Sequence, residues 1–361
     1  MERNDSYHSP DRPAPRSSAV TCSRRDWVRG AGAMLVAGGA GLGGPLPAAT
    51  GGTIDIHHHI LPPAYLAARR DQWRRITVGF PAASDWTPHR SIDDMDRNGV
   101  RTAVASISVP GVWNGVAGEA AALARTCNEY TAQLKRDYPG RFGHFAVMPL
   151  PDIDLSLKEL EYALDSLHAD GAVLYTNYTD RYLGDPAFTP FLEELNRRHV
   201  VVFVHPTTTS CCTNLLPNVG PAILEFPSDT ARTVASLLWS GSLSRFLNIR
   251  FIFSHGGGAL PMVAERIALW ADVHPDIKAL LPNGPMHELE RLHVDVAFAA
   301  NPVAFAAMRK LFSVNNIVFG TDFPFSSAGN INRALRSLDL EEPEIAAICR
   351  GNALSLLPAL A

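Results

Sequence analysis

The chain lacks a basic field. Its 32 Lys and Arg face 36 Asp and Glu, for a formal net charge of −4 and a pI near 6.3, and no run of Lys or Arg is interleaved with aromatics. That removes the electrostatic footprint of a nucleic-acid binder. Cysteine is scarce as well: Cys22, Cys127, Cys211, Cys212 and Cys349 are too few and too scattered for a disulfide framework, and none falls in a Cys-x-x-Cys pair. Adjacent Cys211 and Cys212 read as small apolar residues. There is no coiled-coil heptad, no internal repeat and no second domain. The one weakly apolar stretch outside the body, Gly30 to Gly44, is too short and too glycine-rich to span a bilayer.

What remains is a chain able to bury a full core, with 361 residues, 46% of them hydrophobic and 19% charged. Residues 1–50 stand apart from that body. A polar, Pro- and Ser-rich start leads into Ser23-Arg24-Arg25-Asp26-Trp27-Val28-Arg29 and then the Gly/Ala-rich stretch. That order resembles a twin-arginine export signal, so residues 1–50 are expected to be a signal peptide or a disordered tail. Export to the periplasm or beyond is the expectation, and a cytoplasmic location if the signal is unused.

From Gly52 onward one unit recurs: a short run rich in Val, Ile and Phe, a Gly/Pro-containing turn, and a stretch of helical period. The apolar runs are Thr53 to His57, Thr102 to Ile107, Phe142 to Met148, Ala172 to Tyr175, Val200 to Val204, Arg250 to Ser254, His293 to Ala297 and Ile317 to Gly320. Helical patterns lie between them, clearest in Glu119 to Tyr138, Leu155 to His168, Phe188 to Arg198, Thr230 to Phe246, Pro261 to Ala271 and Pro302 to Phe312. Alternating strands and helices require parallel pairing through right-handed crossovers. Runs without alternating polar residues, such as Val200-Val201-Val202-Phe203-Val204, suit strands covered on both faces. A doubly wound sheet shares these features, and the count of eight units favours a (β/α)8 TIM barrel over residues 51–361. The segment Leu61 to Pro88, with Trp73, Phe80 and Trp86, is expected to be a long loop at the mouth of the site.

The polar residues fall at the ends of those runs. In Asp55-Ile56-His57-His58-His59, residues two apart share a face, so His57 and His59 converge while His58 points away. The fifth run ends in His205-Pro206, the sixth in His255-Gly256-Gly257-Gly258 and the eighth in Gly320-Thr321-Asp322. Barrel active sites form at the C-terminal strand ends, so these segments deliver four His and one Asp to one cavity, a divalent-metal constellation. His89, His144, His168, His199, His274, His287 and His293 lie on loops, helices or strand starts and are assigned structural or solvated roles.

These segments carry a family resemblance. Ile54-Asp55-Ile56-His57-His58-His59-Ile60-Leu61-Pro62-Pro63, Met95-Asp96-Arg97-Asn98-Gly99-Val100, Phe203-Val204-His205-Pro206, Phe253-Ser254-His255-Gly256-Gly257-Gly258 and Phe319-Gly320-Thr321-Asp322-Phe323-Pro324-Phe325 resemble the amidohydrolase superfamily. The similarity is to its decarboxylase branch, which includes aminocarboxymuconate-semialdehyde decarboxylase and the 6-methylsalicylate and related o-hydroxybenzoate decarboxylases. Thr176-Asn177-Tyr178 through Arg181-Tyr182-Leu183-Gly184-Asp185-Pro186 looks nearest the 6-methylsalicylate type. The resemblance implies that His57, His59, His205 and Asp322 bind one divalent metal, with His255 as catalytic acid/base.

The fourth run ends Leu174-Tyr175-Thr176-Asn177, without the bridging lysine or glutamate of two-metal members, so a mononuclear site is expected. Three imidazoles and a carboxylate suit zinc and are compatible with manganese. Arg266 matches an arginine that, in the semialdehyde decarboxylase, reaches a partner's substrate, which implies a homodimer. A second substrate arginine of that enzyme has no counterpart here, which favours a monocarboxylate.

The expected reaction is non-oxidative decarboxylation of a small hydroxylated aromatic acid, with the proton delivered by His255 or Asp322 and with Asn177, Tyr178 and Phe325 as substrate contacts. A hydrolase acting on an ester, lactone or amide through metal-bound water is the alternative. A non-catalytic binding protein is a third reading, one with no need of the non-ligand His255.

Overall fold

The computed structural model describes residues 51–361 apart from 77–79 and 214. The export-like segment with Arg24 and Arg25 lies outside the described residues. Eight strands carry the architecture: β1 (Thr53–Ile60), β2 (Val100–Ile107), β3 (Phe142–Val147), β4 (Gly171–Tyr175), β5 (Val201–His205), β6 (Arg250–Phe253), β7 (His293–Asp295) and β8 (Ile317–Val318). Each pairs in parallel with the next, in chain order. Closure comes from the segment after β8: Ile56 N donates to Phe319 O at 2.9 Å, Asp322 N to His57 O at 2.8 Å and His59 N to Phe323 O at 2.7 Å. The expected TIM barrel is therefore present, each run lying at its expected place.

Helices α1 (Pro63–Ile76), α2 (Pro88–Asn98), α3 (Ala117–Asp137), α4 (Ile153–Glu161), α5 (Thr189–Arg197), α6 (Pro221–Trp239), α7 (Leu260–Val273), α8 (Pro302–Leu311) and α9 (Ala328–Arg336) fill the connections. Several start on side-chain caps: Asp152 accepts from Leu155 N at 2.9 Å and Asn301 from Ala304 N at 3.0 Å. Among the described residues no helix is long and apolar enough to cross a membrane.

Two expectations need correction. Leu61 to Pro88 is largely helical, containing α1 and a 3-10 turn at Pro81–Asp85, with Trp73 and Trp86 buried in the core. Its polar, arginine-rich outer face hid the periodicity. The helix expected from Thr230 begins at Pro221 and carries Pro227 inside it. An internal proline argues for a later start. Pro227 O accepts from Ala259 N at 2.9 Å and ties α6 to the His255 turn.

Beneath the site the lumen is apolar. Phe145 and Phe203 stack with centroids 5.8 Å apart, and the Phe203 ring lies 4.8 Å from His57. On β3, His144 is fully buried and neither ring nitrogen has a hydrogen-bond partner. Burial first, and then the Lys135 charge, hold it down to about 3 from an ordinary 6.5. The unfolded chain therefore takes up a proton that the folded chain refuses. Stability from this source is complete above pH 6.5 and declines as the pH drops from 6.5 toward 3. Between pH 6.5 and 5 the loss is about 2 kcal/mol, with His293, lowered to about 4 mainly by burial, adding to the same slope. His144→Leu is expected to shrink the difference in urea midpoint between pH 7 and pH 5. An unchanged difference would show that His144 takes up the same number of protons folded as unfolded over that range.

Candidate metal centre and active site

β1 departs from simple pairing where the histidines begin, with a register shift between Asp55 and His58 against β2. His57 and His59 nevertheless converge, their Nε2 atoms 3.0 Å apart. His58 turns away as expected: it stacks on Phe323 at 4.7 Å and binds Asp55 through Nδ1 at 3.0 Å and Ser91 through Nε2 at 2.8 Å. His205 ends β5, its ring centroid 5.3 Å from that of His57 and 4.8 Å from that of His59. Asp322 follows β8 with a φ of +60°, and its Oδ1 lies 3.1 Å from His57 Nε2 and 3.0 Å from His59 Nε2. Donor atoms from all four residues fall within 4.8 Å of one another, and all four are buried. Gly320 permits this closeness, because a Cβ there would meet the His57 Cβ at 2.8 Å and the Asp295 Cβ at 2.9 Å.

Each imidazole is aimed through its other nitrogen. His57 Nδ1 pairs with Asp295 Oδ2 at 2.8 Å, His59 Nδ1 with Ser106 Oγ at 3.1 Å and His205 Nδ1 with the Pro206 carbonyl at 2.9 Å. Donation from each Nδ1 leaves an Nε2 lone pair facing the common centre. Asp322 Oδ1, also facing it, is buried and accepts no hydrogen bond. Three nitrogen lone pairs and a carboxylate oxygen at these distances repel one another unless a cation lies among them. The residues present therefore fit one divalent ion.

The electrostatics agree. Burial lowers His57, but Asp322 and Asp295 outweigh it and raise the ring to about 10, so this point of the protein draws positive charge. Burial takes His59 and His205 the other way and keeps them neutral, the ligating form. Burial would also favour protonated Asp322, yet His57, His255 and His59 hold its carboxyl well below the usual range.

His255 stands beside the ligands without joining them. Its Nε2 is 3.1 Å from Asp322 Oδ2, its Nδ1 is 3.2 Å from Ser254 Oγ, and its φ is +56°. Non-glycine residues in this region cluster at functional sites. Asp295, at the end of β7, was not among the residues singled out from the sequence. It is fully buried, accepting from His255 N and Ala297 N at 2.9 Å through Oδ1 while Oδ2 meets His57. One carboxylate thus orients the His57 ring and seats the backbone of His255. Asp55 does similar work, accepting from His57 N at 3.1 Å and from Thr321 N and Oγ1 at 3.0 and 2.7 Å. The available signal was an acidic residue inside an apolar strand.

His205, His255 and Asp322 open into a cavity of about 470 Å³ whose other walls are mainly apolar: Phe80, Val109, Ile223, Phe226, Phe298 and Phe325. Phe325 is thus where the sequence placed it. Asn177 and Tyr178 line a neighbouring cavity of about 280 Å³ with Trp113, Tyr175 and Thr207. There Asn177 Nδ2 donates to buried Asp229 at 2.8 Å, and the Tyr178 hydroxyl accepts from Tyr175 N at 3.0 Å. Arg266 is exposed on α7, along a groove with Arg232, Trp239, Trp270 and His274.

The amidohydrolase family model matches residues 54–359. The chain belongs to the amidohydrolase family. It is 39% identical over 328 residues to decarboxylase yanB of Aspergillus niger, covering 84% of this chain and 87% of that one. With the 6-methylsalicylic acid decarboxylase of Penicillium expansum it shares 34% identity, over 85% of this chain and 96% of the relative. The crystal structure of 5-carboxyvanillate decarboxylase from Novosphingobium aromaticivorans, complexed with manganese and 4-hydroxy-3-methoxy-5-nitrobenzoic acid, superposes with a TM-score of 0.78 at 18% identity, covering 88% of this chain and all of that one.

The double role of Asp295 is open to measurement. Asp295→Asn keeps the size of the side chain but weakens its hold on His57, and is expected to lower metal affinity by about 10- to 100-fold in chelator competition. Affinity equal to the unaltered protein would remove Asp295 from the metal site.

Proposed function

We infer that this protein is a metal-dependent, non-oxidative decarboxylase of a small hydroxylated aromatic carboxylic acid, with 6-methylsalicylate as the model substrate. One observation carries the reading: a cavity with His205, His255 and Asp322 at one end is otherwise mainly apolar, with no Lys or Arg among its described lining residues. Such a space suits a planar acid with one carboxylate and an apolar ring. A second carboxylate would find no partner among this chain's own described lining residues. Curated relatives at 34–39% identity are named as decarboxylases.

His57, His59, His205 and Asp322 would hold the ion, which when bound polarises the substrate's oxygens as a Lewis acid. His255 delivers a proton from Nε2 to the ring carbon that bears the carboxylate. The carbon–carbon bond then breaks, its electron pair stays with the ring and restores aromaticity, and carbon dioxide leaves. Asp322, kept anionic by its neighbours, stabilises the charged imidazole at 3.1 Å. The apolar walls exclude water from the carbon being protonated. Three imidazoles and a carboxylate suit zinc, and manganese in the Novosphingobium neighbour makes that ion the second candidate.

The test is a panel of salicylate, 6-methylsalicylate and 2,6-dihydroxybenzoate, with carbon dioxide and the phenol product measured and elemental analysis of the protein. His255→Ala is expected to lower kcat by about 10²- to 10⁴-fold while leaving metal content unchanged. Acid release from esters or lactones with no carbon dioxide from any acid would favour the hydrolase instead.

A homodimer accounts for Arg266. Exposed Met262, Leu269, Trp270 and Val273 share α7 with it, an apolar face of the kind that subunit contacts cover. Light scattering is expected to give twice the monomer mass, and Arg266→Ala to raise KM with little effect on metal content. A monomeric active form would refute the assignment of Arg266 to a partner's substrate.

A further inference from the structure

One residue at the cavity mouth is set in a costly way. Phe298 follows β7 with a φ of +53°, a backbone region that bulky side chains avoid. The residue is 55% exposed, yet it lines the cavity shared by His205, His255 and Asp322. Its centroid stands 5.9 Å from that of His255, inclined at 51°. The turn that holds it is well made: Ala297 N donates to Asp295 Oδ1 at 2.9 Å and Ala299 N to Val296 O at 3.1 Å. The same carboxylate that seats His255 therefore also sets the turn that presents Phe298. Phe80 and Ile223, which line the same cavity, are likewise part-exposed, at 40% and 64%.

We propose that Phe298 is the specificity-determining residue for the aromatic ring, packing against the face of the substrate beside His255. This rests on the cavity being an aromatic-acid site. A ring held at the metal end with its reacting carbon toward His255 Nε2 must lie between the ligands and the mouth, and Phe298 is the aromatic side chain on the His255 side of that mouth. Contact would cover its exposed face and hold the ring carbon against the proton donor. It would also keep water from His255. Offset or edge-to-face packing against the substrate suits the tilt the ring already has. The strained backbone serves to place the ring.

The preference is for aromatic over saturated acids, so the test compares two ligands on the metal-loaded protein. Binding of 2,6-dihydroxybenzoate and of 2-hydroxycyclohexanecarboxylate is measured by calorimetry for the unaltered protein, Phe298→Ala, Phe298→Leu and Phe298→Gly. Phe298→Ala is expected to weaken the aromatic ligand about tenfold and leave the saturated one within about twofold. Phe298→Leu should fall between. Phe298→Gly, which relieves the positive φ, is expected to unfold at or above the temperature of the unaltered protein, so lost binding there cannot be lost folding. Equal weakening of both ligands, or of neither, overturns the proposal. Should the unaltered protein decarboxylate no hydroxybenzoate while Phe298→Ala still loses the aromatic ligand selectively, the assigned reaction fails and the role of Phe298 stands.

Discussion

Four lone pairs with no hydrogen to share meet at one buried point, and the architecture around them exists to hold them there. His57, His59, His205 and Asp322 come from three separate stretches of chain, and their donor atoms lie within 4.8 Å of one another. Left to themselves these groups would spread or take up protons, as the upward pull on His57 shows. A closed barrel denies the spreading. β1 is pinned to the segment after β8 by backbone hydrogen bonds and by Asp55, and Gly320 lets the two approach. The ion-binding tendency is therefore a property of the whole closed sheet rather than of any one motif.

The lumen beneath and the cavity above divide the labour. Phe203 and Phe145 seal the floor, so the charges at the site act in a medium with little water. Above, the polar groups gather at one end and aromatic and aliphatic side chains form the rest. An aromatic acid satisfies both halves at once: its oxygens belong with the cation and its ring with the apolar wall. Asp295 links the layers, since one carboxylate aims His57, seats the His255 backbone and braces the turn that carries Phe298. Hanging the His57 ring, the His255 backbone and the Phe298 turn on one buried residue makes their positions mutually dependent.

Much of this was legible beforehand, and the reasons are specific. Strands buried on both faces write themselves as unbroken runs such as Val201-Val202-Phe203-Val204, and each of the eight lies where its run lies. Polar residues at the ends of such runs are conspicuous, so all four ligands and His255 could be named. Asp295 escaped because the run reads as His293 to Ala297, which puts this residue in its middle, whereas the strand ends at Asp295 itself. Asn177 and Tyr178 follow β4, where they pair with Arg181–Tyr182 in a short hairpin, bind Asp229 and the Tyr175 backbone, and line the neighbouring cavity. The helix in Leu61 to Pro88 was masked by arginines on its outer face, and the early turns of α6 by Pro227.

The amino-acid order alone determined the alternation of strand and helix, the number of units and the chemical types that stand at strand ends. Those are local properties, set by periodicity and by which residues tolerate burial. Only the folded barrel decided which end groups share a point, which nitrogen of each imidazole faces the centre, and which aromatic rings wall the cavity. These depend on register across strands as far apart in sequence as β1 and β8, where a side chain's surroundings come from segments more than two hundred residues away. No local pattern encodes the distance between two such segments, because the closing of the sheet itself sets it.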